Sequence, residues 1–458
     1  MTRLLRIALV LSSLTVVSAA RAEGDLVALW HAAAEHNPDY AATLAQGEAD
    51  QRKRGQAAAL NSPQLLLGAG ARYQTSERNV SGARFSSPAF GTQTGVDFDA
   101  RYAGAVGLGW SLTLSHSLYN ADRDAAARQL GTQAELGGVS IDAARQALML
   151  HVAQAYFAVL AAEDSVAALT ALEAATREAM EQARTRYEAG DAPVTDQSDA
   201  RARFDLITAQ LVGARNELAL RRSRLEDLTG KSDFRLARPA VAAADPIGSA
   251  AALEAWQRRA ANNNPAVKRS PLQIDIADAD VARLRAALSP TVDAYARIEG
   301  DRLSGSGYGA DAVNTSSDRV IGVQLNIPLW TGGMRGAKSQ EAVLLKKKSQ
   351  AALAAAEQEV NSALREAWLA LASRRAEVAA LEAALRSAET RLDANQTGFS
   401  VGERPALDVL DAEQALQIVR RDLAAARYAS FTARLDVYAA AGELDEAKLQ
   451  EVNEALRD

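Results

Sequence analysis

Cysteine is absent from this chain of 458 residues. No disulfide framework, zinc-thiolate centre, iron–sulfur cluster or cysteine nucleophile is therefore available to it. Eleven prolines and 29 glycines are too few for a collagen or a long disordered tract. Aromatic residues make up only 5%, less than a packed sandwich or propeller needs. Positive charge is in deficit, with a net charge of -6 and a pI near 5.5, which argues against a nucleic-acid partner. What remains is 48% hydrophobic and 24% charged, with a mean hydropathy of -0.15, the profile of a soluble protein of two or three domains. Alanine, glutamate, arginine and leucine dominate, which points to long helices.

Residues 1–22 read as a secretory signal peptide. Arg3 and Arg6 give a positive start, Ile7 to Val17 an apolar stretch, and Ala20-Arg21-Ala22 a small-x-small cleavage site. About eleven apolar residues cannot span a bilayer core of roughly 30 Å as a helix. The remainder carries no run of 18 or more apolar residues. It is expected to be periplasmic, secreted, or a β-barrel of an outer membrane.

The chain is written twice. Asn37-Pro38 followed by Ser62-Pro63 recurs, at one spacing, as Asn264-Pro265 followed by Ser289-Pro290. At a second, shorter interval, Tyr187-Glu188-Ala189-Gly190 parallels Phe399-Ser400-Val401-Gly402, Asp196 parallels Asp408, and Asp199 parallels Asp411. The change of interval places a length difference between Pro63 and Gly190, as a variable loop allows. The expected organisation is a first repeat over 23–230, a linker over 231–249, a second repeat over 250–442 and a C-terminal tail over 443–458. Each repeat reads as helix, two strands, very long helix, turn and return helix.

Val106, Leu108, Trp110, Leu112 and Leu114 alternate with Gly107, Gly109, Ser111, Thr113 and Ser115, a period of two with one apolar and one small polar face. Ile321, Val323, Leu325 and Ile327 repeat the pattern, and Leu67–Gln74 and Thr291–Glu299 read as weaker partners. The Gly/Ser/Asn/Asp-rich stretches Ser76–Ala100 and Leu303–Ser317 read as loops. A soluble half-buried hairpin has this pattern, but in an exported chain an outer-membrane strand fits better. No proline interrupts Asp122–Glu188 or Gly336–Thr397, so each helix can reach about 90–100 Å. Leu364, Leu371, Val378, Leu385 and Leu392 recur every seventh residue, as do Val152, Val159 and Val166, which signals coiled-coil packing.

No catalytic constellation emerges. His31, His36, His116 and His151 form no metal-ligand pair, and Gly305, Gly307 and Gly309 lack the lysine and helix of a phosphate cradle. Neither an enzymatic activity nor a cofactor is expected.

Signal peptide, repeats, four strands and long helices together resemble the TolC family of outer-membrane efflux and type I secretion channels. The most specific marks are Tyr187-Glu188-Ala189-Gly190, the stretch Gly398 to Ala412, and Leu325-Asn326-Ile327-Pro328-Leu329-Trp330-Thr331-Gly332-Gly333-Met334. The resemblance implies a homotrimer of mixed α and β class. Each subunit would give four strands to one 12-stranded outer-membrane β-barrel, continued by a long periplasmic α-helical barrel. Physics points the same way, because four strands cannot close and an open sheet edge in lipid leaves backbone groups unsatisfied. Two copies would give eight strands, a filled interior, whereas three leave a lumen. The implied partners are outer-membrane lipid, a periplasmic adaptor (membrane fusion) protein and an inner-membrane ABC or RND-type transporter. The competing reading is a periplasmic coiled-coil structural or adaptor protein, which would need no strands.

Asp408 and Asp411 lie three apart on one helical face. Capping and dipole compensation after Pro405 can account for them; the resemblance instead implies two acidic rings at the periplasmic mouth. It also implies a latch in which Arg404 engages Thr195 and Asp196, with Phe399 lacking the hydroxyl of the family's frequent tyrosine. An exposed arginine pair of little worth is the alternative. Gly190, Val401 and Gly402 read as helix terminators and, by resemblance, as tips where an adaptor docks.

Overall fold

The computed structural model describes residues 23–232, 234–238, 251–307, 310–330 and 332–454. The signal-peptide segment and most of the linker expectation lie outside them. In chain order the elements are β1 (Glu23–Gly24), α1 (Leu26–His36), α2 (Pro38–Gln51), α3 (Lys53–Leu60), β2 (Gln64–Ser87), β3 (Gly91–Tyr119), α4 (Ala121–Glu188) and α5 (Val194–Thr229). Then follow β4 (Arg235–Leu236), α6 (Ala251–Asn263), α7 (Pro265–Ala286), β5 (Thr291–Gly307), β6 (Ala310–Asn326), α8 (Met334–Ser400), α9 (Ala406–Ala441) and α10 (Glu446–Glu454). The chain divides into two compact units, the first of residues 1–45, 139–268 and 355–458, the second of residues 46–138 and 269–354.

The second unit holds an antiparallel sheet of order β2-β3-β5-β6. Its register sorts the side chains by face. Leu65, Leu67, Leu108, Trp110, Leu112, Ile298, Ile321 and Val323 share one side; Arg72, Gly107, Gly109, Ser111, Thr113, Glu299, Asp301 and Asp318 share the other. The apolar side is uncovered, with Leu67 69% and Ile321 90% exposed.

The two stretches read as loops are mostly strand. The β2–β3 ladder continues through Val80 opposite Phe98 to Ser87 opposite Gly91, and the β5–β6 ladder through Leu303 opposite Asn314 to Gly307 opposite Ala310. Gly309 lies outside the described residues. Polar composition misled here because the ladder bonds are made by backbone, whatever the side chain. Irregularities at Gln74/Ser76, Val80/Ala83 and Ala83/Phe85, with left-handed Gly82 and Gly95, absorb the mismatches. Phe85 meets Phe98 edge-on at 5.9 Å and anchors the extension.

In the first unit the long helices pack by their heptad residues. Val152, Val159, Leu364, Leu371 and Val378 are buried. Helix α4 carries an 18-residue window apolar enough, by composition, to cross a bilayer, of which 39% is buried inside the protein; Met149, Tyr156 and Phe157 of this helix are buried. Phe157 stacks on Phe431 at 5.6 Å and on Tyr428 at 6.0 Å, fastening α4 to α9. The repeated Asn-Pro and glycine motifs explain each other. Asn37 and Asn264 cap α2 and α7 through Tyr40 N and Ala266 N, each at 2.8 Å. The glycines ending α5 and α9 receive these junctions: a Cβ on Gly230 would lie 2.7 Å from the His36 ring, and one on Gly442 2.5 Å from Asn264 Cα. Of the tail, α10 is packed rather than loose: Leu449 and Val452 are buried, and Asn453 Oδ1 accepts from Leu26 N at 3.0 Å. Of the linker, Ala237 O accepts from Tyr156 Oη at 2.8 Å, and β4 pairs in parallel with β1.

Candidate functional site

The two inter-helix turns of the first unit are built alike. At the end of α4, Asp191 N donates to Arg186 O at 2.8 Å and Gly190 N to Tyr187 O at 2.9 Å. At the end of α8, Glu403 N donates to Gly398 O at 2.9 Å and Gly402 N to Phe399 O at 3.1 Å. Both are Schellman closures around a left-handed glycine, φ 83° at Gly190 and 80° at Gly402. Pro193 and Pro405 then start the return helices from an extended backbone. Glycine matters twice here, because a Cβ at Gly398 would lie 2.7 Å from Arg404 Cγ. Its absence lets the arginine stem fold back over α8.

The arginine goes to Asp408, Nη1 to Oδ2 at 3.1 Å, one helical turn on. Within the chain Arg404 thus takes a partner other than Asp196. Asp411 is held by Arg203 of α5. Sequence spacing offered a signal for Arg203, but toward the wrong acid: it stands four residues after Asp199, the separation of a helical ion pair. Thr195 Oγ1 donates to Asp196 Oδ1 at 3.4 Å. Asp196 and Asp199 form no ion pair among the described residues. Phe399 is 40% and Val401 65% exposed.

The turns are nevertheless brought together. A cavity of about 280 Å³ has Asp196 and Asp199 of α5 on one side and Pro405, Leu407 and Leu410 on the other, with Arg186 beside them. Higher up α9, Tyr428 Oη donates to Asp164 Oδ2 at 2.7 Å, and Arg238 binds Asp164 and Glu163. Burial first, and Asp164 second, push the Tyr428 hydroxyl above the usual phenol range.

The chain thus carries one sheet with an apolar and a polar face and two matched helix turns, one in each repeat. A family model described as outer membrane efflux protein matches residues 29–231 and 256–443, one match per repeat. The chain belongs to the outer membrane efflux protein family. Its place is the outer membrane of a Gram-negative bacterium, and its role is that of a channel. Outer membrane protein TolC of Vibrio cholerae is 31% identical over 326 residues, covering 69% of this chain and 72% of that one. Alkaline protease secretion protein AprF of Pseudomonas aeruginosa is 29% identical over 437 residues, covering 92% and 85%. The crystal structure of the outer membrane protein VceC from Vibrio cholerae superposes with a TM-score of 0.72 at 19% identity, covering 91% of this chain and 96% of that one, which establishes the shared fold of this efflux protein.

Proposed function

We propose that three copies of this chain form a gated exit duct for a tripartite efflux pump or a type I secretion system, with no catalytic turnover. The observation that carries the reading is the sheet. Among the described residues β2 and β6 each have an unpaired outer edge, and the uncovered face is apolar where lipid would lie. Three such sheets close into twelve strands, with Arg72, Glu299, Asp301 and Asp318 lining a wet bore. The helices α4, α5, α8 and α9 continue the wall through the periplasm.

The gate is the pair of turns. Under three-fold symmetry Asp408 and Asp411 form acidic rings, and Asp196, which has no ion pair among the described residues, is with Thr195 the partner that a neighbouring subunit's Arg404 would take in the closed latch. Phe399 brings no hydroxyl to this latch. Gly190, Val401 and Gly402, exposed at the tips, suit docking by a periplasmic adaptor coupled to an ABC or RND-type transporter. Expression in a Gram-negative host tests the reading. An outer-membrane, heat-stable trimer that conducts in planar bilayers is expected; a monomer in the soluble periplasmic fraction overturns it.

A further inference from the structure

The apolar packing near the turns runs within each helix pair. Leu169 and Leu172 of α4 cluster with Ile207 and Leu211 of α5, while Val378 of α8 clusters with Leu423 and Ala426 of α9. Between the pairs, the cavity under Leu407 and Leu410 marks incomplete packing. What joins the pairs is a column of polar ties on α9. Gly442 O accepts from Gln146, Asp436 pairs with Gln154, Tyr428 donates to Asp164, and Asp411 binds Arg203. Over residues 405–427, Arg203–Asp411 is the one side-chain hydrogen bond from α4 or α5 to α9 among the described residues. Seventeen residues separate it from Tyr428, about 26 Å of helix. Above it the stacked rings of Phe157, Tyr428 and Phe431 make a fixed anchor; below it, among the described residues, no side-chain hydrogen bond from α4 or α5 reaches α9, which is held there only to its own partner α8, through Asn395 Nδ2 to Asp408 O at 3.3 Å.

A long helix pair with one side-chain tie to the other pair near its free end is a latch between the two pairs. The tie also governs charge. Arg404 and Arg203 bind Asp408 and Asp411 respectively, so each ring acid carries its own guanidinium. The two arginines come from different repeats: the position matching Arg203 in α9 is Ala415, and the one matching Arg404 before α5 is Ala192.

We propose that Arg203 is the intrasubunit latch of the gate and the counter-charge that sets how acidic its mouth is. This rests on the gate reading given above. A partly exposed ion pair changes a local equilibrium by a factor of about 2 to 5, and three copies moving together multiply that to roughly tenfold to a hundredfold.

The experiment compares purified trimers in planar bilayers. Arg203→Ala is expected to raise the open fraction by about tenfold or more, and to increase cation over anion permeability, because Asp411 is left bare. Asp411→Asn is expected to open the channel without that gain in cation preference. Arg203→Asp combined with Asp411→Arg restores the pair in reverse and is expected to close the mouth again. Arg203→Lys, which keeps the charge, serves if Arg203→Ala yields no trimer; it is expected to stay nearer the parent conductance than Arg203→Gln. Parental conductance and selectivity in Arg203→Ala, while Arg404→Ser with Asp196→Ala opens the channel, removes Arg203 from the latch and leaves the gate standing. If neither variant opens the channel, the gate reading itself falls.

Discussion

Arg72 on β2 and Asp301 on β5 form a forked ion pair, with Nη1–Oδ1 at 2.7 Å and Nη2–Oδ2 at 2.6 Å, although β3 runs between their strands. The bridge is possible because β3 presents only Gly107 and Gly109 beneath it. A Cβ at Gly107 would lie 3.0 Å from Arg72 Cγ, and one at Gly109 3.0 Å from Asp301 Oδ1. The small polar face that reads as a channel lining is thus also a floor for a charged brace. Gln74 Oε1 steadies it by accepting from Arg72 Nε at 3.0 Å.

Valine at Gly109 therefore displaces the brace without touching either charged residue. The side chains of Arg72 and Asp301 are 48% and 30% exposed, so water screens the pair and the loss per subunit is small. The expected result is a lower temperature for dissociation of the detergent-resistant trimer in Arg72→Ala, Asp301→Ala and Gly109→Val. Arg72→Ala combined with Asp301→Ala should drop no further than the worse single variant. Fully additive losses would show that the two residues act separately.

Tyr428 and Arg238 converge on Asp164, joining α9, the start of the linker and α4. Tyr428→Phe removes one hydrogen bond to a charged acceptor, worth about 1.5 kcal/mol, whereas Asp164→Ala strands the Tyr428 hydroxyl and leaves Arg238 only Glu163, at a cost of about 2–3 kcal/mol. Thermal denaturation checks the order, and trypsin cleavage at Arg235 or Arg238 should quicken only in Asp164→Ala. The phenol's pKa is raised in the folded protein. Its contribution is therefore complete below the unfolded value of about 10 and fades as pH climbs through the folded one. Tyr428→Phe should lack that alkaline loss.

Much of this architecture is legible in residue patterns. The heptads through Leu364 and Leu371 and the missing prolines mark α8, and the alternation from Val106 to Leu114 marks the centre of β3. Strand length is not legible, because at Ser76–Ala100 the register shifts break the alternation of apolar and polar side chains, and backbone pairing carries the ladder across them. Ion-pair partners are hidden too. Spacing along α5 offers Asp199 to Arg203, and only folding shows that Asp411, 208 residues away, takes it.

Asp436 offers a pH-dependent test. Burial raises its pKa, against the lowering effect of a hydrogen bond from Gln154. A raised carboxyl favours the folded state while protonated, and that gain is lost as pH rises from the unfolded value of about 4 through the folded one. At pH 7 the half-buried charge is a liability. Asp436→Asn keeps the bond partner and drops the charge, so it should melt higher than the parent at pH 7 and no higher near pH 4. An equal advantage at both pH values would trace the gain to something other than the charge.

The acids of the second turn separate capping from gating. Asp408 N donates to Pro405 O at 3.1 Å and Asp408 O accepts from Asn395 Nδ2 at 3.3 Å, both through backbone. Replacing the carboxylates therefore spares the turn's hydrogen-bonded closure and removes the helix-dipole term, about 0.3–1 kcal/mol, together with the ion pairs to Arg404 and Arg203. If the acids serve as capping alone, Asp408→Asn with Asp411→Asn should melt slightly lower and conduct as the parent does. If they form rings at a shared mouth, Arg404 and Arg203 lose their partners while three subunits lose six carboxylates near the axis. Cation preference should then fall, and block by multivalent cations from the periplasmic side should weaken. Current–voltage curves in a salt gradient read both effects, because a capping loss leaves the reversal potential in place and a ring loss moves it.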